Sequence, residues 1–242
     1  MTPGIALFMA MVLLGAAFTR GYSGFGLPTL VMTSAALVMD PLVLVPVILM
    51  VEISLSALLV PGVWRHINWR RAVTLFSGSL LGVPFGVYVL SNIGLDLARA
   101  ILSGFVLVMC VLLSCGWSFA KPVGDAGHIG VGLVSGVANA AAVGGLPVAA
   151  FFAALGLPAV VFRATIIAYF LLLDIWSSGM FWYAGFITRD TWVALAMAMP
   201  LLLVGIWVGT WQFNRSAPKE FRRFAILLLA GLAGLGLLKS FL

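Results

Sequence analysis

The sequence predicts an all-α, polytopic membrane protein made of two homologous halves. Its composition, the spacing of its polar clusters and an internal repeat carry that prediction. Of the 242 residues, 63% are hydrophobic and 8% charged, with a mean hydropathy of +1.20. Soluble domains carry roughly 25% charged residues, so too few charges are present here to cover a water-facing surface. The charges gather in short patches separated by apolar stretches of about 18 to 25 residues, the length that crosses a hydrocarbon core. A Gly-rich, Pro-containing element occurs once in each half.

In chain order, apolar segments fall at 3–19, 26–39, 41–63, 72–90 and 98–119, then at 128–142, 145–157, 159–184, 191–213 and 221–242. The first lacks a basic n-region and a small-residue cleavage site, so it reads as a membrane segment rather than a removed signal. Segments 26–39 and 145–157 are short for a crossing. If they span, the chain has ten crossings; if they re-enter, it has eight. The stretch 121–127, within AKPVGDAGH, reads as a linker between an N-terminal half (1–120) and a C-terminal half (128–242). Cys110 and Cys115 lie five apart in one apolar run and point to different faces of a helix, so they read as small apolar packers.

The halves correspond along their length. Gly26-Leu27-Pro28 matches Gly145-Leu146-Pro147, each followed by a short segment and then a proline, Pro41 or Pro158, opening a long helix. Later, Gly82-Val-Pro-Phe-Gly86 matches Gly205-Ile-Trp-Val-Gly209. Duplication with matching Gly/Pro interruptions is the pattern of secondary transporters. Charge selects the inverted arrangement. Basic patches at 65–71 and 214–223 share the cytoplasmic side only if the halves are inverted, and the nearly neutral loops around 91–99 and 185–190 then share the other. The net charge of +6 is thereby absorbed by topology, and no nucleic-acid partner is implied. Trp64, Trp69, Trp182 and Tyr183 stand at segment ends, as interfacial aromatics do.

The element Gly-Tyr-Ser-Gly-Phe-Gly-Leu-Pro (21–28) reads as an unwound stretch followed by a new half-helix starting near Pro28, and Asn139 to Pro147 reads the same way. Irregular backbone at membrane depth must be buried in protein or line a wet cavity. A half-helix N-terminus offers free N–H groups and partial positive charge to an anion. The competing reading is that these glycines only allow close helix packing. The candidate binding residues are Arg20, Tyr22, Ser23, Gly24, Phe25 and Gly26 at the first break, Asn139, Gly144 and Gly145 at the second, and Arg163 beyond it. For Arg20 and Arg163 the alternatives are an anion's countercharge or an arginine snorkelling to the interface. Glu52 and Asp174, acids inside long apolar helices, are either coupling groups or members of structural ion pairs.

The repeated Gly-rich break, the Ile67-Asn68-Trp69-Arg70 element and a turn expected at Gly82–Gly86 together resemble the TauE/SafE family over nearly the whole chain. The first copy of the Gly-rich signature has Leu27-Pro28 after Gly-Phe-Gly, and the second retains Gly144-Gly145. The resemblance implies a multi-pass transporter of the bacterial cytoplasmic membrane that exports a small sulfur-containing anion such as sulfite, thiosulfate or a sulfonate. Its partners are that anion and the lipid bilayer, with a homodimer also open. No cofactor, metal or catalytic residue is implied. Two other readings are carried: a cation or proton-coupled metabolite transporter using Glu52 and Asp174, and an intramembrane enzyme. The second is disfavoured because His66 falls in a basic loop and His128 at the linker's end, away from any apolar core.

Overall fold

The computed structural model describes residues 3–35, 38, 41–92, 104, 108, 123–215 and 224. The segments expected at 98–119 and 221–242, the two cysteines, and most of the second basic patch lie outside these residues. Eight α-helices are described in full: α1 (Pro3–Ser23), α2 (Leu27–Ala35), α3 (Val45–Val63), α4 (Trp69–Asn92), α5 (Asp125–Asn139), α6 (Gly145–Ala154), α7 (Ala159–Tyr183) and α8 (Arg189–Arg215). Helices α1, α3, α4, α7 and α8 are long and apolar enough to cross a membrane. The described residues contain no strand, and the chain is an all-α polytopic membrane protein. Helix α5 begins at Asp125, so residues 125–127 of the stretch expected as a linker are helical.

Lipid tails are as apolar as leucine, so helices in a bilayer associate by close packing and polar contacts. The glycines show where. Gly21 lies against Ile206, Gly205 against Leu14 and Ala17, and Gly209 against Phe18 and Tyr22, so α1 and α8 pack side by side and run the same way. Gly78 meets Ile129, Gly132 meets Leu75, and Gly86 meets Val137, which makes α4 and α5 a second parallel pair. Gly82 and Gly86 therefore sit inside α4 and touch α5; they do not form the turn that their spacing predicted. A side chain at either position would collide with the facing backbone.

Helices α3 and α7 are the most enclosed and pack on each other. The N–H of Asn68, just past α3, donates to Thr165 Oγ1 at 3.0 Å near the start of α7. Deeper, Glu52 and Ser56 of α3 hold Arg20, whose guanidinium lies over the Phe170 ring. The two helices are thus antiparallel. Tyr169 meets Ser79, so α4 runs with α7, and contacts of Arg20 and Gly24 with Phe170 and Ile166 set α1 against it.

These pairings set the directions of the six longer helices. Helices α1, α3 and α8 run one way; α4, α5 and α7 run the other. Thus α1 is antiparallel to α5, α3 to α7, and α4 to α8, which is the arrangement that inverted repeats require. Consequently the turn Trp64–His66, the start of α4 and the end of α8 lie on one side, with Arg65, Arg70, Arg71 and Arg215. An exposed ion pair, Arg70 Nη2 to Asp125 Oδ2 at 2.9 Å, ties the starts of α4 and α5 on that same side.

Candidate functional site

The first break occupies Gly24–Gly26, between α1 and α2. Gly24 and Gly26 have φ of 82° and 98°, a region that side-chain-bearing residues rarely adopt. The Ser23 hydroxyl reaches the carbonyls of Thr19 (2.7 Å) and Phe25 (3.0 Å), stitching the break to α1. Pro28 has no N–H to lose, and Leu30 N–H begins the new helix by donating to the Gly26 carbonyl at 3.0 Å. Arg163 supplies a cap: its Nε and Nη2 donate to the Gly21 carbonyl at 3.1 and 2.7 Å, and Nη2 also reaches Thr210. A cation belongs at a helix C-terminus, where carbonyls are left unpaired.

The second break, residues 140–144, differs in chemistry. Its left-handed residue is Ala142 (φ 57°), whereas Gly144 is right-handed. Glycine is required at 144 for a different reason from the one the sequence indicated. A Cβ there would come within 2.6 Å of the Ser135 carbonyl and 2.8 Å of Asn139. The Gly144 carbonyl accepts from the Ser135 hydroxyl at 2.6 Å, and Ser135 in turn accepts from Tyr169 at 2.8 Å. Tyr169 also meets Ser79 at 2.8 Å, so this chain of hydroxyls joins α4, α5 and α7 to the break.

Both breaks converge on the middle of α7. Arg20 Cζ stands 5.1 Å from the centre of the Phe170 ring, and a Cβ on Gly145 would sit 3.1 Å from the ring's Cζ. Phe170 is thus wedged between the arginine of one break and the half-helix start of the other. Arg20 is 0% exposed. Its Nη2 donates to Glu52 Oε2 at 2.8 Å and Ser56 Oγ at 2.5 Å, while Nε and Nη1 have no hydrogen-bond partner among the described residues. A guanidinium carries five N–H donors, so three are unspent in a buried place. Glu52 Oε1 is also unpartnered among those residues.

The repeat places Asn139 where the first half has Arg20: each stands six residues before the glycine of its Gly-Leu-Pro. Asn139 Nδ2 donates to Asp174 Oδ1 at 3.0 Å and Ser177 Oγ at 2.9 Å. Inversion thus yields two matched polar triads, Arg20–Glu52–Ser56 and Asn139–Asp174–Ser177, one charged through its basic member and one not.

The sequence-predicted residues divide accordingly. Arg20 and Gly145 meet at Phe170, Glu52 joins Arg20, and Asn139 joins Asp174 with Gly144 against it. Ser23 and Gly24 hold the first break. Tyr22 packs between α1 and α8 against Phe213 and Phe224, and Phe25 packs on Phe162. His128 departs from expectation: it lies in α5, 4% exposed, with Nδ1 at 3.0 Å from the Gly124 carbonyl and its ring edge-on to Phe151. It remains far from the breaks, and no cluster of metal-ligating residues occurs among the described residues. Phe170, Tyr169, Ser56 and Ser177 were not singled out by sequence.

The sequence profile of the sulfite exporter TauE/SafE family matches residues 8–236, nearly the whole chain. The chain belongs to the TauE/SafE family. No curated protein and no solved structure matches it. Membership makes it a multi-pass membrane protein of a transporter family, and it gives the inverted repeat and its two breaks a setting that glycine packing alone does not. In this TauE/SafE chain the α1–α8 and α4–α5 seams are lined by close-packing glycines, and Gly21 and Gly144 at the breaks are close-packed too.

Proposed function

We propose that this TauE/SafE chain is a secondary transporter that moves a small sulfur oxyanion or organosulfonate outward across the bacterial cytoplasmic membrane. The observation that carries the reading is Arg20: a fully buried guanidinium with Nε and Nη1 unpartnered among the described residues, six residues before a half-helix start. Guanidinium N–H groups match the oxygens of planar and tetrahedral oxyanions. The first N–H groups of α2 and α6 add donors and partial positive charge. Arg163 serves the site by holding the Gly21 carbonyl, which keeps the first break in shape.

The positive-inside rule puts the side bearing Arg65, Arg70, Arg71 and Arg215 in the cytoplasm. Inversion supplies alternation of access. Two halves of like structure and opposite orientation can exchange conformations, opening the central site first to one side and then to the other. Phe170, between the breaks, is the side chain that must yield for an anion to reach Arg20 from the second half.

The test is equilibrium binding of sulfite, thiosulfate, sulfoacetate and taurine to the purified protein, with alkali and organic cations as the opposing panel. Saturable binding of a sulfur anion supports the reading. Binding of a cation that is lost on neutralising Glu52 or Asp174, with no anion bound, overturns it.

A further inference from the structure

We infer that Asp174 carries a proton that enters and leaves the site together with the anion, making transport an anion–proton symport. This rests on Arg20 as the anion's partner. Four ionisable groups gather around one place: Glu52 pairs with Arg20, Arg20 lies over Phe170, Asp174 stands one turn beyond Phe170 on α7, and Arg163 of the same helix holds the Gly21 carbonyl beside Arg20. With all four ionised the cluster is neutral. An anion added to it brings an unbalanced negative charge into a place shielded from water, beside two carboxylates. Neutralising one carboxylate restores the balance.

The geometry selects which one. Glu52 is held by Arg20 at 2.8 Å and keeps its countercharge. Asp174 is 2% exposed, and its hydrogen-bond donor is the amide of Asn139, uncharged, where the inverted repeat has an arginine in the other half. Before an anion binds, the two arginines balance both carboxylates, but once an anion occupies Arg20 the carboxylate without a bonded cation is the one too costly to keep ionised. Asp174 is therefore the group that gains a proton as the anion arrives.

Other groups do not take its place. On its own helix, Tyr169 is committed to Ser79 and Ser135, and Arg163 to Gly21. On α5, Asp125 and His128 stand about 21 and about 16 Å along the helix from Asn139 at 1.5 Å per residue. Helix α6 has no ionisable side chain. Arg70 and Arg71 lie at the start of α4 with Arg65 and His66 beside them, and Tyr88 lies near its end. By reciprocity, if the anion raises proton affinity, the proton raises anion affinity by the same factor. A monoanion moving outward with one proton carries no net charge and is driven by its own gradient and the pH gradient together; a dianion such as thiosulfate carries one net negative charge.

Calorimetric titration of the purified full-length chain with thiosulfate, in buffers of differing ionisation enthalpy between about pH 6 and about pH 9, counts the protons taken up per anion. The expected uptake in the wild type approaches about one, with affinity falling up to about tenfold per pH unit above the Asp174 transition. Asp174→Asn should bind thiosulfate with no proton uptake and a flat pH profile, while Asp174→Glu should retain uptake. If Asp174→Asn does not fold, the wild-type stoichiometry and the Glu variant decide. Thiosulfate binding without proton uptake, or binding that requires sodium and ignores pH, overturns the coupling but leaves the anion site standing. Absence of binding by any sulfur anion overturns both.

Discussion

Replacing Arg20 separates a binding arginine from a merely structural one. Its Nη2 is spent on Glu52 and Ser56, and Nε and Nη1 leave three N–H donors for an anion. A lysine keeps the charge but has three donors in all. If two go to Glu52 and Ser56, one is left. Hydrogen bonds to charged groups contribute about 1.5–3 kcal/mol each. Of the two donors lost, even one bond to the anion is worth about tenfold to about 150-fold in affinity, at 1.4 kcal/mol per decade. The single change Arg20→Gln is less informative, because it strands Glu52 and destabilises the fold by about 3–5 kcal/mol. The double change Arg20→Gln with Glu52→Gln removes both charges, keeps the fold's charge balance and leaves the anion without the guanidinium donors of Arg20. Binding of radiolabelled thiosulfate to detergent-purified protein, with gel filtration to confirm folding, reads both variants. Arg20→Lys should bind weakly and the double variant not measurably. Wild-type affinity in the folded double variant would refute the reasoning.

Gly26→Val should abolish transport while leaving the protein in the membrane, since valine resists a φ of 98°; near-normal transport by folded protein would move the site elsewhere. Gly145→Ala places a methyl 3.1 Å from the Phe170 ring and should reduce transport, with partial recovery on adding Phe170→Leu, as measured by tracer flux. Gly82→Leu or Gly205→Leu should act differently, lowering yield and thermal stability in a gel-filtration melt, because those positions are helix seams. Single cysteines at Asn68 and Ser216, in an otherwise cysteine-free chain, should both resist an external thiol reagent in intact cells; labelling of just one contradicts the inverted arrangement.

How far the sequence disclosed the molecule depends on how polar each part is. In so apolar a chain, Arg20, Glu52, Arg163 and Asp174 stand out because charge within a membrane helix needs a reason. The expectation of inversion came from where the basic patches fall, and the helix directions agree with it. Phe170 was not, because one phenylalanine among 17 carries no mark of being wedged between two breaks. Tyr169, Ser56 and Ser177 were hidden likewise: a hydroxyl in a membrane helix can bond its own backbone, so its presence does not announce a cross-helix partner. Arg163 was visible as a charge, but its use as a cap on α1 depends on a carbonyl 142 residues away in sequence. The Gly82–Gly86 spacing was seen and given the wrong structure, since a helix seam and a turn both call for glycine. At the second break, glycine at 144 answers to crowding rather than to backbone sign.

Counterflow in proteoliposomes tests the central claim most directly. Vesicles holding the wild-type protein are loaded with unlabelled sulfite and diluted into a trace of ³⁵S-thiosulfate. The label should accumulate inside transiently against its gradient, and vesicles bearing the Arg20→Gln, Glu52→Gln double variant should match empty liposomes. Equal accumulation by the double variant would contradict an anion site at Arg20, and no accumulation by the wild type with any member of the sulfur-anion panel would contradict the transport function itself.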